Sequence, residues 1–159
     1  MRAEYTARKA GVEDAVLVKG FYEENIGELH GAVRPLSHWC SALSSPDPDE
    51  QNYIILRGDH PVGWFRIEGL RDAGGTLWLA MLSIGREHKH QGAGRFAVDF
   101  TEDYARTHGY TTLGIHTCVD NLPGRALYES RGLVMVSTET CTNGDGQTRE
   151  GCTYHKVLT

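Results

Sequence analysis

The chain has 159 residues, enough for one domain spanning 1–159 with a sizeable core. With 16 basic and 21 acidic side chains the formal charge is −5, which excludes the basic face of a general nucleic-acid binder. No apolar run approaches the roughly 18 residues of a membrane span, so no membrane partner is expected. Met1-Arg2-Ala3-Glu4-Tyr5 lacks the apolar core of a signal peptide. Cys40, Cys118, Cys141 and Cys152 form no C-x-x-C pair. Reduced thiols in a cytoplasmic protein are therefore expected, with a Cys141–Cys152 bridge across a late hairpin as the alternative.

In chain order, Glu4 to Lys9 alternates weakly and reads as a first strand. Gly11-Val12-Glu13-Asp14 opens a helical pattern with Ala15, Val18, Phe21 and Tyr22 on one side. The pattern fades at Asn25-Ile26-Gly27. Glu28 to Pro35 reads as a loop, and Leu36 to Leu43 as a short helix carrying Trp39. After the breaker Ser44-Ser45-Pro46-Asp47-Pro48-Asp49 comes a meander of strands: Tyr53 to Arg57, then Val62 to Glu68, then the strand from Leu77. Turns at Gly58-Asp59-His60-Pro61 and Asp72-Ala73-Gly74-Gly75 separate them.

The stretch from Leu77 to Tyr104 organises the rest. Leu77 to Ile84 is nearly all apolar, which predicts a strand buried on both faces. A polar loop follows from Gly85 to Gln91. Beyond Gly92, apolar side chains at Ala93, Ala97, Phe100 and Tyr104 make one helical stripe. Strand, glycine-bearing loop and helix together have the physics of an anion site; the alternative is that Gly92 and Gly94 only allow a tight turn. The helix start offers unpaired N–H groups and the positive end of its dipole. Lys89 and Arg95 supply charge.

His108-Gly109 ends that helix, and Thr111 to Cys118 is the next strand. Pro123 starts a helix that Gly132 ends. Leu133 to Cys141 and Cys152 to Leu158 flank the hairpin residues Asn143-Gly144-Asp145-Gly146. The order β-α-α-β-β-β-α-β-α-β-β mixes an antiparallel meander with one parallel crossover. The fold class is α+β.

Lys89-His90-Gln91-Gly92-Ala93-Gly94 resembles the acyl-CoA loop of the GNAT acyltransferase superfamily, [Arg/Gln]-x-x-Gly-x-[Gly/Ala], with Lys89 in place of the usual first residue. Asn121, Ala126, Leu127, Tyr128, Glu129 and Gly132 resemble that family's second signature, with Leu133 where the family has Phe. Either motif alone is weak; the pair, with a strand between, is specific. The resemblance implies a central mixed, mostly antiparallel sheet of six to seven strands flanked by about four helices. It implies an N-acetyltransferase that uses acetyl-CoA as cosubstrate, with no metal. The acceptor would be the primary amine of a small molecule or of a peptide or protein. A homodimer is compatible with it.

The same resemblance assigns the pyrophosphate to the N–H groups of His90, Gln91, Gly92, Ala93, Gly94 and Arg95, with Lys89 adding charge. The pantetheine arm would pair with the strand edge at Leu82, Ser83 and Ile84. A backbone N–H near Leu82 would stabilise the oxyanion. Tyr128 would face the leaving thiolate. Asn121 either holds the cofactor or caps the Pro123 helix. Glu68 and His116 are the candidate general bases. Tyr22, Glu28 and Trp39 are expected around the acceptor, where acidic and aromatic groups would suit a cationic amine. His88-Lys89-His90 gives too few ligands for a zinc site.

Two competing readings remain. Gly92-Ala93-Gly94-Arg95-Phe96-Ala97 also fits the dinucleotide fingerprint, with Asp120 as its acidic residue. A polar loop between strand and glycine, and three meander strands before it, argue against a dinucleotide-binding protein. The other alternative is a CoA-binding regulatory module without catalysis, which would lack a working acid and base.

Overall fold

The computed structural model describes residues 4–45, 47–72 and 74–159, apart from the side chains at 28 and 29. Its strands are β1 (Tyr5–Lys9), β2 (Glu50–Arg57), β3 (His60–Glu68), β4 (Thr76–Ile84), β5 (Thr112–Cys118), β6 (Val134–Thr142) and β7 (Thr148–Val157). They form one seven-stranded sheet in the order β1-β2-β3-β4-β5-β7-β6. Only β4 and β5 pair in parallel; the other neighbours are antiparallel. The mixed, mostly antiparallel α+β sheet is the one the sequence implied.

Helices cover both faces. On one lie α1 (Ala15–Glu24), a single turn α2 (Ile26–Leu29) and α3 (Leu36–Ser44). On the other lie α4 (Ala93–Thr107) and α5 (Leu122–Ser130). Strand alternation divides β2 and β3 between two cores. Ile54 and Trp64 pack with Val18, Phe21 and Trp39 beneath α1 and α3. Tyr53, Ile55, Phe65 and Ile67 pack with Ala97 and Val98 of α4. The small residues Ala93, Ala97 and Ala105 are buried on α4, which lets it lie close to the sheet.

Strands β3 and β7 begin at His60 and Thr148, ahead of the expected Val62 and Cys152, and three further sequence expectations need correction. Glu28 lies within the helical turn Ile26–Leu29 rather than in a loop. The second strand begins at Glu50, three residues ahead of Tyr53, because Asn52 and Gln51 already pair with Arg66 and Ile67 of β3. Most consequentially, β4 is not buried on both faces: Leu77, Leu79 and Ser83 are, while Ala80, Met81, Leu82 and Ile84 are half-buried. The reason is geometric. Its parallel ladder with β5 stops after Thr76↔Thr112, Leu77↔Leu113 and Trp78↔Gly114. Beyond Trp78 the two strands part.

A bulge on the other edge of β4 adds to this. Arg66 faces Met81 and Ile67 faces Leu79, so Ala80 is the extra residue. Leu77 and Leu79 point to the α4 side before the bulge, Leu82 and Ile84 after it. Met81 is turned to the α1 side. One inserted residue thus keeps an apolar wall on the α4 side while exposing β4 where it leaves β5.

The first strand is clamped to α1 by charge. Arg8 donates two 2.8 Å hydrogen bonds to Asp14, and the Gly11 N–H donates a third at 2.9 Å. Asp14 is 5 % exposed, and the Arg8 guanidinium holds its carboxyl below the usual range. Asp14→Asn should lower stability by about 2 kcal/mol, read from the denaturant midpoint. Because the folded-state pKa is the lower one, this contribution is complete above the unfolded-chain value near about 4 and is lost as the pH falls through the folded value. The wild-type advantage over Asp14→Asn should therefore shrink on acidification below about pH 4; an advantage that persisted there would remove the clamp as its cause.

Candidate functional site

Where β4 and β5 part, a cleft of about 280 Å³ opens. Leu79, Ala80, Met81, Leu82 and Ile84 of β4 form one wall, and His116 and Thr117 of β5 form the other. Asn121, Pro123, Gly124, Leu127 and Tyr128 close one side. At the mouth lie His88, Lys89, His90, Gly92 and the first turn of α4, Ala93 to Arg95.

The loop at that mouth is shaped by backbone conformation. Gly92, the residue before α4, sits at φ 99°, a left-handed conformation that favours glycine. His90 is also left-handed, at φ 62°, which for a side-chain-bearing residue stores strain. The first α4 ladder bond runs from the Phe96 N–H to the Gly92 carbonyl, at 3.0 Å. The amides of Ala93, Gly94 and Arg95 thus belong to the unpaired start of the helix. They lie on the cleft together with Lys89. Gly94 permits close packing: a Cβ there would stand 3.1 Å from Leu127 Cδ2 across the cleft.

Gln91, expected among the cofactor ligands, does not line the cleft. Its carboxamide oxygen accepts a 2.6 Å hydrogen bond from Arg57, and its backbone carbonyl accepts one from the Tyr5 hydroxyl at 2.8 Å. The chain turns outward here, so Gln91 ties the loop to β1 and β2. Ser83 is also turned away. It stands opposite Trp64, on the α1 side, because strand side chains alternate. Its neighbours Leu82 and Ile84 line the cleft as expected.

Tyr128 is 7 % exposed and faces the cleft from α5. Burial, with a smaller contribution from Cys152, pushes its phenol up to about 12. It stays protonated at neutral pH and so keeps its O–H as a donor. The helix that carries it is held by a part-buried relay: Arg125 donates to the Tyr154 hydroxyl at 3.1 Å, and that hydroxyl donates to Glu129. Asn121 settles as the cap of α5: its side-chain oxygen accepts from the Gly124 N–H at 3.3 Å, and its amide donates to Thr117 at 2.9 Å. It also borders the cleft.

The two base candidates are not equivalent. Glu68 is absent from the cleft. It lies in a groove of about 590 Å³ on the α1 side of the sheet, with Asp49, Asp72, Trp78 and Glu139. The odd-even register of β3 puts it there, opposite Trp78. Burial raises its carboxyl above the usual range, against the lowering influence of Arg66. His116 borders both groove and cleft. Its Nδ1 lies 3.1 Å from Thr153 Oγ1 and 3.6 Å from Glu139, and its Nε2 lies 3.7 Å from Cys141 Sγ. Gly151 makes room, since a Cβ there would fall 3.0 Å from both Cys141 Sγ and His116 Nε2.

Tyr22 and Trp39 share a third cavity, with ring centroids 5.0 Å apart. The Glu28 side chain lies outside the described residues. Contrary to the acidic lining expected, the charged groups there are Arg34 and Arg66. Sequence reasoning also missed Asn25. It is 7 % exposed on the cleft and donates to the Phe21 and Ile84 carbonyls at 2.8 and 2.9 Å, tying α1 to the free end of β4. An asparagine after a helix gives no sequence signal of that reach. The cysteines are all unpaired, Cys141 and Cys152 included. Among the described residues, two His/Cys/carboxylate groups have ligand atoms within 4.8 Å, His30–Cys118–Asp120 and His116–Glu139–Cys141; neither uses His88 or His90.

A model of the acetyltransferase (GNAT) family matches residues 18–133. The chain belongs to the GNAT family. Solved GNAT structures share its fold across the whole length. An acetyltransferase from Thermus thermophilus is 19 % identical, with 99 % of this chain and 100 % of that chain covered and a TM-score of 0.77. A ribosomal-protein-alanine N-acetyltransferase from Brucella melitensis is 18 % identical over 96 % and 99 %, with a TM-score of 0.78. A spermidine N-acetyltransferase from Vibrio cholerae, solved with CoA and spermine, is 16 % identical over 98 % and 96 %, with a TM-score of 0.80. At these identities the likeness is one of fold. A search of curated protein sequences returns no match.

Replacing Asn121 with Ala removes the α5 cap and should cost about 1 kcal/mol, a fall in Tm of roughly 2–4 °C for a chain of this size. Unchanged thermal unfolding would show that the Gly124 N–H is served equally well by water.

Proposed function

We propose that the chain is a single acyltransferase domain that moves an acetyl group from acetyl-CoA to the primary amine of a small molecule or peptide. The observation that carries this reading is the parting of β4 from β5 directly above a helix start, with a buried tyrosine on the wall. The pantetheine amides can pair with the free edge of β4, as an added strand would. The pyrophosphate fits the amides of Ala93, Gly94 and Arg95, with the Lys89 charge beside them.

The chemistry follows from the two cavities that meet at His116. The amine enters from the groove on the α1 side and passes a proton to His116, directly or through Glu68, whose raised pKa suits a base. Its nitrogen attacks the acetyl carbonyl carbon, a C–N bond forms and the oxyanion meets a backbone N–H near Leu82. The nitrogen releases its remaining extra proton to solvent, the C–S bond breaks, and the electron pair leaves on sulfur as the CoA thiolate.

Tyr128 faces that sulfur. With the phenol near 12 and a thiol near about 8.5, complete proton transfer would be uphill by about 5 kcal/mol. Tyr128 therefore stabilises the thiolate by donating a hydrogen bond, and the proton that completes the thiol comes from solvent. This presence of a positioned donor and a base at the cavity junction favours an enzyme over a CoA-binding module. The outward turn of Gln91 and the long loop before Gly92 disfavour a dinucleotide site.

Calorimetric titration with acetyl-CoA, with NAD in parallel, tests the reading: acetyl-CoA binds and NAD does not. The reverse pattern would replace it with the dinucleotide reading. Tyr128→Phe should leave acetyl-CoA affinity within about twofold and lower kcat by about tenfold to a hundredfold. Since burial holds the phenol near 12, the variant should keep the wild-type shape of the pH–kcat profile up to about pH 10. A changed profile would mean that the phenol titrates during turnover.

A further inference from the structure

The acceptor side of the sheet is electrostatically divided. The groove beside His116 is acidic, carrying Asp49, Glu68, Asp72 and Glu139. Across Arg66, beneath α3, lies the cavity of about 280 Å³ that holds Trp39, and no carboxylate lines it among the described residues. Its charged lining is Arg34 and Arg66, with His38 alongside. Met81 belongs both to this cavity and to the cleft, so the cavity adjoins the point where β4 leaves β5.

The hydrogen-bond inventory of that cavity is incomplete in one direction. Trp64 and Trp39 both line it, and their rings meet edge to face at 5.7 Å. The Trp64 indole donates to Asn52 Oδ1 at 3.0 Å. The Trp39 indole, on a residue 5 % exposed, has no acceptor among the described residues. An indole N–H can only donate, so a buried one calls for an acceptor atom. Arg66 has the same bias. Its Nε lies 3.4 Å from Glu50 and its Nη2 3.5 Å from Glu68, contacts that answer its charge in part, though the buried Nε completes no hydrogen bond. The unanswered Trp39 indole beside the Arg34 and Arg66 guanidinium groups describes a site for an anion.

We propose that this cavity is the anion subsite of the acceptor site, and that the acceptor is a primary amine bearing a carboxylate, an amino acid or a related aminocarboxylic acid. Its carboxylate sits among Arg34, Arg66 and Trp39. Its amine lies toward Glu68 and His116, within reach of the cleft. The placement of the amine end rests on the acyl-transfer reading above; the anion end rests on the cavity alone. A polyamine would put a cation against Arg34 and Arg66, and a peptide N-terminus would bring a neutral amide there.

The test is a matched-pair screen of free amino acids against their C-terminal amides, with spermidine and an N-terminal peptide alongside. CoA thiol release reads turnover, and calorimetry in the presence of CoA reads binding. The free acids should exceed their amides by about tenfold or more in kcat/KM, because an amide leaves the Arg34 charge unanswered. Arg34→Gln and Trp39→Phe should each raise KM for the acid by about fivefold or more, leaving KM for acetyl-CoA within about twofold. Turnover of amides, peptide or spermidine as fast as of acids would overturn the subsite while leaving acyl transfer intact. Carboxylate-selective binding without turnover would keep the subsite and overturn acyl transfer. If no carboxylate binds, or if both variants bind acids as the wild type does, the subsite is overturned.

Discussion

The cleft and the site proposed there follow from a short parallel ladder. β4 and β5 pair over three residues and then part, leaving one edge of β4 without a strand to complete it. Backbone N–H and C=O groups are strong hydrogen-bonding groups, and leaving them unpaired in a buried setting is costly. A sheet interrupted in its middle is therefore a site that a peptide-like ligand can complete. The Ala80 bulge turns Leu82 and Ile84 toward that opening and Met81 toward the opposite face. The same strand thereby serves two cavities.

The elements around the opening are braced rather than loose. Asn25 fixes the end of α1 to the Ile84 carbonyl, and Gln91 fixes the glycine loop to Arg57 and Tyr5. The Arg125–Tyr154–Glu129 relay fixes α5 to β7. Each brace uses a polar side chain whose partner is far away in sequence. Their combined effect is to hold the helix start, the strand edge and Tyr128 in one arrangement before any ligand arrives. Preorganisation of this kind is where much of an enzyme's electrostatic advantage resides.

Burial gives the site its chemical character. It turns the Tyr128 phenol into a donor that does not surrender its proton, and it makes the Glu68 carboxyl more basic. It also leaves the Trp39 indole without an acceptor under α3, in a cavity that no carboxylate lines among the described residues. Acidic groove and basic cavity lie on the same face of the sheet, separated by the Arg66–Glu68 pair. A molecule with both charges is complementary to that division in a way that a purely cationic one is not.

Periodicity and glycine punctuation in the sequence determined the α+β order, the strand–loop–helix unit at Leu77 to Tyr104, and the two motifs that carry the family. These are local properties, set by which residues recur at two or at 3.6 positions and by where left-handed backbone is required. The glycine loop before α4 was legible for the same reason, whereas Tyr128 was singled out only through the resemblance to the family's second signature. Four things were decided only by tertiary structure. The bulge at Ala80 depends on register against β3. The outward turn of Gln91 and of Ser83 depends on which face the chain presents. The pairing of Glu68 with the groove and of His116 with both cavities depends on strand neighbours that are up to 37 residues apart. The basic lining around Tyr22 and Trp39 comes from Arg34 on the loop before α3 and Arg66 on β3, brought together by packing across the sheet face. Sequence spacing fixes what a segment can form; only the closed core fixes which side chains share a cavity.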